Sequence, residues 1–431
     1  MKIWEILGIM GGLMIALSIL VPANIYVYKA PNNGFSEKAY IQHGIIRINN
    51  DTEFSQIAQQ EDWPGDGSEN NPYIVEGYEI DAQGEGNCIY IGNTTVHFII
   101  RNCYLHNTSY HSSPYFEGAG ITLYNTTSGI IENNTCSNNG HYGIYLYSSS
   151  SNTVSSNTCN NNGNYGIFLY YYSDNNTVSN NTCRDNGDRG IFLYNYANNN
   201  KISGNTCNNN SVGISLYSSG NNTISNNICD CNQKHGIYLY CCSDSNTILN
   251  NLCRNNVRDG ILLFSSGSNI LSNNSCGNND RYGILLCSSS NNTIVDNLLY
   301  NNTNYGIYIL SGTHNRIYNN FFCYNHDSGD TFNPSHIQAY DDGTNNSWNS
   351  SSGVGNYWHD WANNNDTNDM NNDGIVDWPY PIDGSASAKD HYPLKNPTVV
   401  PEFSSLNLMP IILAIFVMVY LRTKKSFAKY P

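Results

Sequence analysis

The chain has 431 residues and a formal net charge of −15, and only 12% of its residues are charged. That balance excludes nucleic acid and anionic membrane surfaces as partners, because phosphate contacts need clustered Lys and Arg. A chain so rich in Asn, Ser and Gly cannot build one large globular core either; it needs an architecture that buries a thin apolar slice many times over.

Lys2 precedes a run that is uncharged from Ile6 to Tyr28, with a small-residue cleavage candidate at Val21-Pro22-Ala23. Residues 1–28 therefore read as a secretory signal peptide or signal anchor. Residues 36–71 are expected to form an N-terminal cap, with Asp51 capping a short amphipathic helix through Phe54, Ile57 and Ala58 before Pro64 to Gly67 breaks the chain. Extended segments around Tyr73, Cys88 and Val96 open a stack, and an insertion from Asn107 to Gly118 precedes its regular part.

From Gly120 to Phe322 one sentence repeats, GIYLYSSSSNTVSSNTCNNNGNY at Gly143 to Tyr165, with further starts at Gly166, Gly190, Gly213, Gly236, Gly260, Gly283 and Gly306. The steps are 23 or 24 residues, which is the signature of a solenoid. Period-2 alternation marks strands, with Ile144, Leu146 and their equivalents facing one way. A second strand carries Val154, Val178 and Ile202, followed by a column of Cys136, Cys159, Cys183, Cys207, Cys229, Cys253 and Cys276. Strands about 4.8 Å apart hold their Cβ atoms wider than a disulfide's roughly 3.8 Å, so these are expected to be free, buried thiols. The column Asn134, Asn157, Asn181 to Asn320 is expected to form a ladder, each amide bonded to the Asn one coil away.

Residues 341–396 hold Trp348, Trp358, Trp361 and Trp378 and read as a C-terminal cap. Within it, Asp369, Asn371, Asp373, Ile375 and Asp377 have the spacing of a calcium loop, with Gly374 at the sharp turn but Tyr380 where the last acidic ligand belongs. A short linker, 397–405, leads to an apolar transmembrane segment, 406–421. The basic tail, 422–431, is expected on the cytoplasmic side.

Three stretches resemble one family: NPYIVEGYEIDAQG (Asn71 to Gly84), the GIxLY repeats, and GNYWHDW with VDWPYPIDG (Gly355 to Trp361, Val376 to Gly384). They resemble the NosD-like proteins, whose repeats are also described as carbohydrate-binding and sugar-hydrolase repeats. The resemblance implies an all-β fold, a single right-handed parallel β-helix of about twelve coils over residues 72–340. Pro401-Glu402-Phe403 with the apolar segment resembles the PEF-CTERM sorting signal of archaeal surface proteins, which implies an archaeosortase-like processing enzyme and a rod held outside the cell.

Two surfaces could carry function. Outward positions of the GIxLY strand hold Tyr145, Phe168, Phe192 and Tyr238 in one column and Tyr124, Tyr147, Tyr170, Tyr194, Tyr217 and Tyr240 in the next. Such a stripe offers rings for sugars to stack on and hydroxyls to bond them. The turn before each Gly gathers Asp188, Arg189, His235, Arg258, Asp259 and Arg281 along one edge, the groups a uronate lyase or epimerase would use to neutralise a carboxylate and remove the adjacent proton. Cys231, Cys241, Cys242 and His235 are soft-ligand candidates for copper, which the family name alone suggests, with a local disulfide as the alternative. The expected function is a cell-surface-anchored β-helix, non-catalytic, binding polysaccharide or glycoprotein glycans or serving as an envelope or adhesion module. The alternatives are a lyase, epimerase or hydrolase acting on acidic glycans, and a copper-handling protein.

Overall fold

A computed structural model of the chain describes residues 40–109, 117–362 and 369–397. The expected signal segment, sorting motif, transmembrane segment and basic tail lie outside these residues. Among the described residues no helix is long and apolar enough to cross a membrane.

The fold is all-β, a right-handed parallel β-solenoid. Twelve strands of the GIxLY type stack in one sheet, from Ile46–Ile48 to Ala339–Asp341, and eleven in a second, from Tyr73–Glu76 to Arg316–Tyr318. The third side is built of shorter parallel sheets joined by single bridges such as Thr135 to Thr158 and Thr206 to Ile228. Register is in phase throughout, Ile144 opposite Ile167 and Ile167 opposite Ile191, so each column of the sequence becomes a stack in space. Strand pairing starts at Ile41–Gln42, inside the segment expected to be cap alone, and continues to Tyr357–Trp358, beyond residue 340.

The helix Asp51–Gln60 lies between the first strands. Its N-cap is Asn50 rather than Asp51: the Asn50 side chain accepts from Glu53 N at 2.8 Å, and Glu53 Oε2 accepts from Asn49 N at 2.6 Å. Asp51 is turned instead to the next coil, where it accepts from Thr94 Oγ1 at 2.6 Å.

Each coil turns three corners, and each corner uses the same two-residue device. The first residue takes a left-handed backbone, as Ser151, Ser156 and Asn161 do at φ 59°, 58° and 55°, a conformation that Asn tolerates better than most side chains. The second, here Asn152, Asn157 and Asn162, is buried and joins a ladder. In each ladder the backbone N–H donates to the Oδ1 of the residue one coil on, and in most rungs the side-chain amide does too, as Asn181 does to Asn205 at 2.9 and 3.0 Å. There are three such ladders, beginning at Asn134, Asn139 and Asn152. The chain is Asn-rich because every corner demands one residue for its dihedral and another for its hydrogen bonds. Where the corner after a GIxLY strand carries two left-handed residues in succession, they are Tyr171–Tyr172, Asn195–Tyr196 and Cys241–Cys242.

Between the corners Ile, Leu, Val and Cys fill the interior. The seven cysteines of the inward column, Cys136, Cys159, Cys183, Cys207, Cys229, Cys253 and Cys276, are free and fully buried. Burial pushes the thiols of Cys159, Cys207, Cys229 and Cys276 well above the ordinary range, so they pack as small apolar groups. At the C-terminal end Trp358 is sandwiched between Phe322 and Tyr380, each 4.0 Å away between ring centroids.

Candidate functional site

The outer face of the twelve-stranded sheet carries three columns rather than the two that alternation predicts. A Cβ on Gly143 would lie 2.8 Å from Cys159 Cβ and 2.6 Å from Gly166 O, so position 143 faces the interior, as does Ile144 beside it. Alternation slips by one residue at that glycine. Tyr142 is thereby brought to the outer face, 5.2 Å from Tyr145 between ring centroids. The same slip places Tyr165, Arg189, Val212 and His235 in register with it. Arg189 and His235, expected on a separate edge, belong to the tyrosine face.

This third column changes the stripe. Tyr145, Phe168 and Phe192, expected to be open to solvent, are covered by the rings on either side of them, at 4%, 6% and 4% exposure. Tyr124, Tyr147, Tyr170, Tyr194, Tyr217, Tyr238 and Tyr240 are half-buried. Their rings pack on one another along the rod in mixed geometries, Tyr124 stacked on Tyr147 at 4.9 Å, Tyr147 and Tyr170 edge-to-face at 5.3 Å, and Tyr170 tilted against Tyr194 at 5.3 Å. The column therefore alternates between stacked, tilted and edge-on rings, not the flat platform expected from the sequence. More exposed rings stand at the adjoining corner, Tyr171, Tyr172 and Tyr196.

Arg189 lies across this face. It pairs with Asp188, its guanidinium sits 4.3 Å from the Phe192 ring centroid, and Nη2 donates to the Tyr240 hydroxyl at 3.3 Å. That path runs from the first column to the third over two coils and crosses the second column where Ser215 interrupts the rings. One coil beyond Val212, His235 Nδ1 lies 3.0 Å from Asp259 Oδ2, with Asp259 fully buried. Arg258 and Arg281 join neighbouring coils through their backbones, Arg281 N donating to Arg258 O at 2.9 Å, and the Arg281 guanidinium lies over Tyr282. Of the six expected catalytic residues, the structure thus forms two pairs and leaves Arg258 and Arg281 at the edge. Sequence reading missed Tyr142, Tyr165, Tyr282 and Tyr305; the residue preceding each Gly was the signal.

In the loop expected to take calcium, Asp369 accepts from Asp373 N and Gly374 N, Asp373 from Ile375 N, and Asp377 from Met370 N. These carboxylates curl the loop onto its own amides.

The NosD family, described as a periplasmic copper-binding protein, matches residues 193–362, and the family of right-handed β-helix regions matches residues 65–228. The chain is a NosD-like right-handed β-helix. No curated protein matches it. Solved structures similar to this NosD-like chain include the A-module of a mannuronan C-5 epimerase of Azotobacter vinelandii, 15% identical, covering 63% of this chain and 85% of its own, with a TM-score of 0.47. A periplasmic alginate epimerase is 17% identical over 70% and 83% of the two chains, at 0.41. The tailspike protein of E. coli bacteriophage HK620, in complex with a pentasaccharide, is 12% identical over 70% and 61%, at 0.49. The likeness is one of fold alone.

Copper, which the family description raises, finds no matching donor set here. Cys231 and Cys242 are exposed, Cys241 is half-buried, all three are free, and the buried His235 faces Asp259. Among the described residues no three His, Cys, Asp or Glu side chains converge to hold a metal ion.

Proposed function

We propose that this NosD-like chain is a non-catalytic, cell-surface-anchored β-helix that holds a glycan along its tyrosine face, as an envelope or adhesion module. The observation that carries this reading is the row of hydroxyls on Tyr124, Tyr147, Tyr170 and Tyr194. They edge a half-exposed column, and none has a hydrogen-bond partner in the protein among the described residues. Tyrosines borne at the strand spacing of about 4.8 Å suit a chain of sugars, each offering hydroxyls of its own. The apolar ends and the sorting motif supply the anchor in this reading. The test is a glycan array and affinity gel with the triple substitution Tyr147→Phe, Tyr170→Phe and Tyr194→Phe, which keeps the stacked rings. Losing hydrogen bonds worth about 1 kcal/mol each should weaken retention at least tenfold. Undiminished retention would sink the proposal.

One observation favours a second reading, an enzyme acting on acidic glycans: the buried Asp259 beside His235, on the same face as Arg189 and Tyr240. In that chemistry a guanidinium neutralises the sugar carboxylate while an imidazole takes the adjacent proton, with the nearby carboxylate favouring the imidazolium that results. Assays for lyase and epimerase turnover on uronate polymers decide it. Turnover should vanish in Asp259→Asn and persist in the triple Phe variant; wild-type protein without turnover retires the reading.

A further inference from the structure

At the N-terminal end of the tyrosine face, Glu117, Tyr124, Tyr145 and Tyr147 line a cavity of about 110 Å³. It lies where the aromatic column is interrupted, between Tyr145 and Tyr90. Opposite Tyr145, one coil earlier, stands Thr122, too short to continue the stack and buried with its hydroxyl unpaired. Tyr145, 4% exposed, forms the wall, and Tyr124 and Tyr147 lie parallel to within 7°. Neither the Glu117 carboxylate nor any of the three phenol hydroxyls has a hydrogen-bond partner among the described residues. Burial raises the Glu117 carboxyl above its ordinary range. These four groups line one space and keep contact with solvent, so water serves them in the free protein, and a ligand carrying donors and acceptors of its own can take the water's place.

The groups themselves select that ligand. A carboxylate repels anions. A metal ion would require several oxygen ligands, and one carboxylate with three neutral phenols is a poor set. A polyol gives the carboxylate adjacent hydroxyl donors, gives the phenols acceptors, and lays C–H groups against ring edges. We propose that this cavity is the subsite for one neutral sugar residue, whose adjacent hydroxyls donate to Glu117 while the Tyr145 and Tyr147 hydroxyls complete its shell. The inference rests on the glycan-binding reading and adds the substrate class: an uncharged sugar at this end of the face, with a uronate disfavoured.

Calorimetric titration of the full chain with mannotetraose, cellotetraose, xylotetraose and tetragalacturonate tests it. A neutral tetrasaccharide should bind at least tenfold more tightly than tetragalacturonate. Glu117→Gln, which keeps the shape of the side chain, should weaken that binding at least tenfold with an unchanged melting temperature, and Tyr145→Phe should weaken it by a smaller factor. Equal affinity for tetragalacturonate overturns the subsite. So does undiminished binding by Glu117→Gln while the Tyr147, Tyr170 and Tyr194 triple Phe variant loses it, an outcome that leaves the tyrosine face standing. If wild-type protein binds no saccharide at all, both proposals fall.

Discussion

Asn356 donates its backbone N–H to Asp390 Oδ2 at 2.7 Å, ending on a carboxylate the ladder that begins at Asn134. The other two ladders end in the same way. Gln338 Nε2 donates to Asp360 Oδ1 at 2.6 Å, and Asn346 Nδ2 donates to Asp341 Oδ1 at 2.9 Å. From Asn134 to Asn320 each backbone N–H points toward the C-terminal end, while side-chain amides also reach back to the preceding coil, as Asn205 does to Val178 O; a carboxylate thus receives the last forward-pointing N–H groups.

Burial holds the Asp390 carboxyl up at about 6, above its ordinary 3.8. The folded state therefore binds this proton more tightly than the unfolded chain does. Its stabilising contribution, about 3 kcal/mol at most, is complete below pH 3.8 and lost as pH rises through 6. Melting temperatures measured between pH 4.5 and 7.5 should rise toward acid more steeply in the wild type than in Asp390→Asn. Identical slopes would show that the carboxylate does not titrate in the cap.

Asn205→Ala removes one rung in mid-ladder. Asn181 N loses its acceptor and Val178 O its donor, both inside the coil. With each buried unpaired group costing about 1–3 kcal/mol, urea denaturation should report a loss of about 3–5 kcal/mol, and a loss below 1 kcal/mol would mean that water enters the corner.

Gly190→Ala would place a Cβ 2.6 Å from Gly213 O and 2.9 Å from Cys207 Cβ, both held by the next coil. Neither can yield without parting the coils, so destabilisation of about 2 kcal/mol or more is expected from overpacking. Gly44→Ala, where nothing lies within 4 Å, is the matched control in the same denaturation experiment.

Alkylation with iodoacetamide followed by mass spectrometry should modify Cys231 and Cys242 in the native protein, both being exposed. Cys159, Cys207, Cys229 and Cys276, with thiols pushed up by burial, should react only after unfolding. Native labelling of the buried column at the rate of Cys242 would contradict the packing.

The repeat, the inward Ile and Leu columns and the Asn134 ladder were legible because each depends on local spacing that the stack merely copies. The other two ladders were equally present, at Asn139 and Asn152, but adjacent Asn residues look alike until one of each pair is seen to hold a positive φ. The functional face was misread for a different reason. Strict alternation assigns Tyr142 and Arg189 to the wrong side, and only the close approach of Gly143 to the next coil reveals the slipped residue. Glu117 carries no repeat signal at all, since its cavity arises from the missing ring at Thr122.

The slip at Gly143 recurs at each repeat glycine, and the corners recur with it, so one coil more or fewer leaves the remaining neighbour relationships unchanged. The hydroxyl row runs from Tyr124 to Tyr240 and gives way to Phe264, Cys287 and Leu310, so its length is set by how many successive coils carry tyrosine at that position. A ligand that touches each coil weakly gains avidity with every coil it spans, so affinity for a long polymer can be adjusted by duplicating or deleting one repeat without redesigning any single contact.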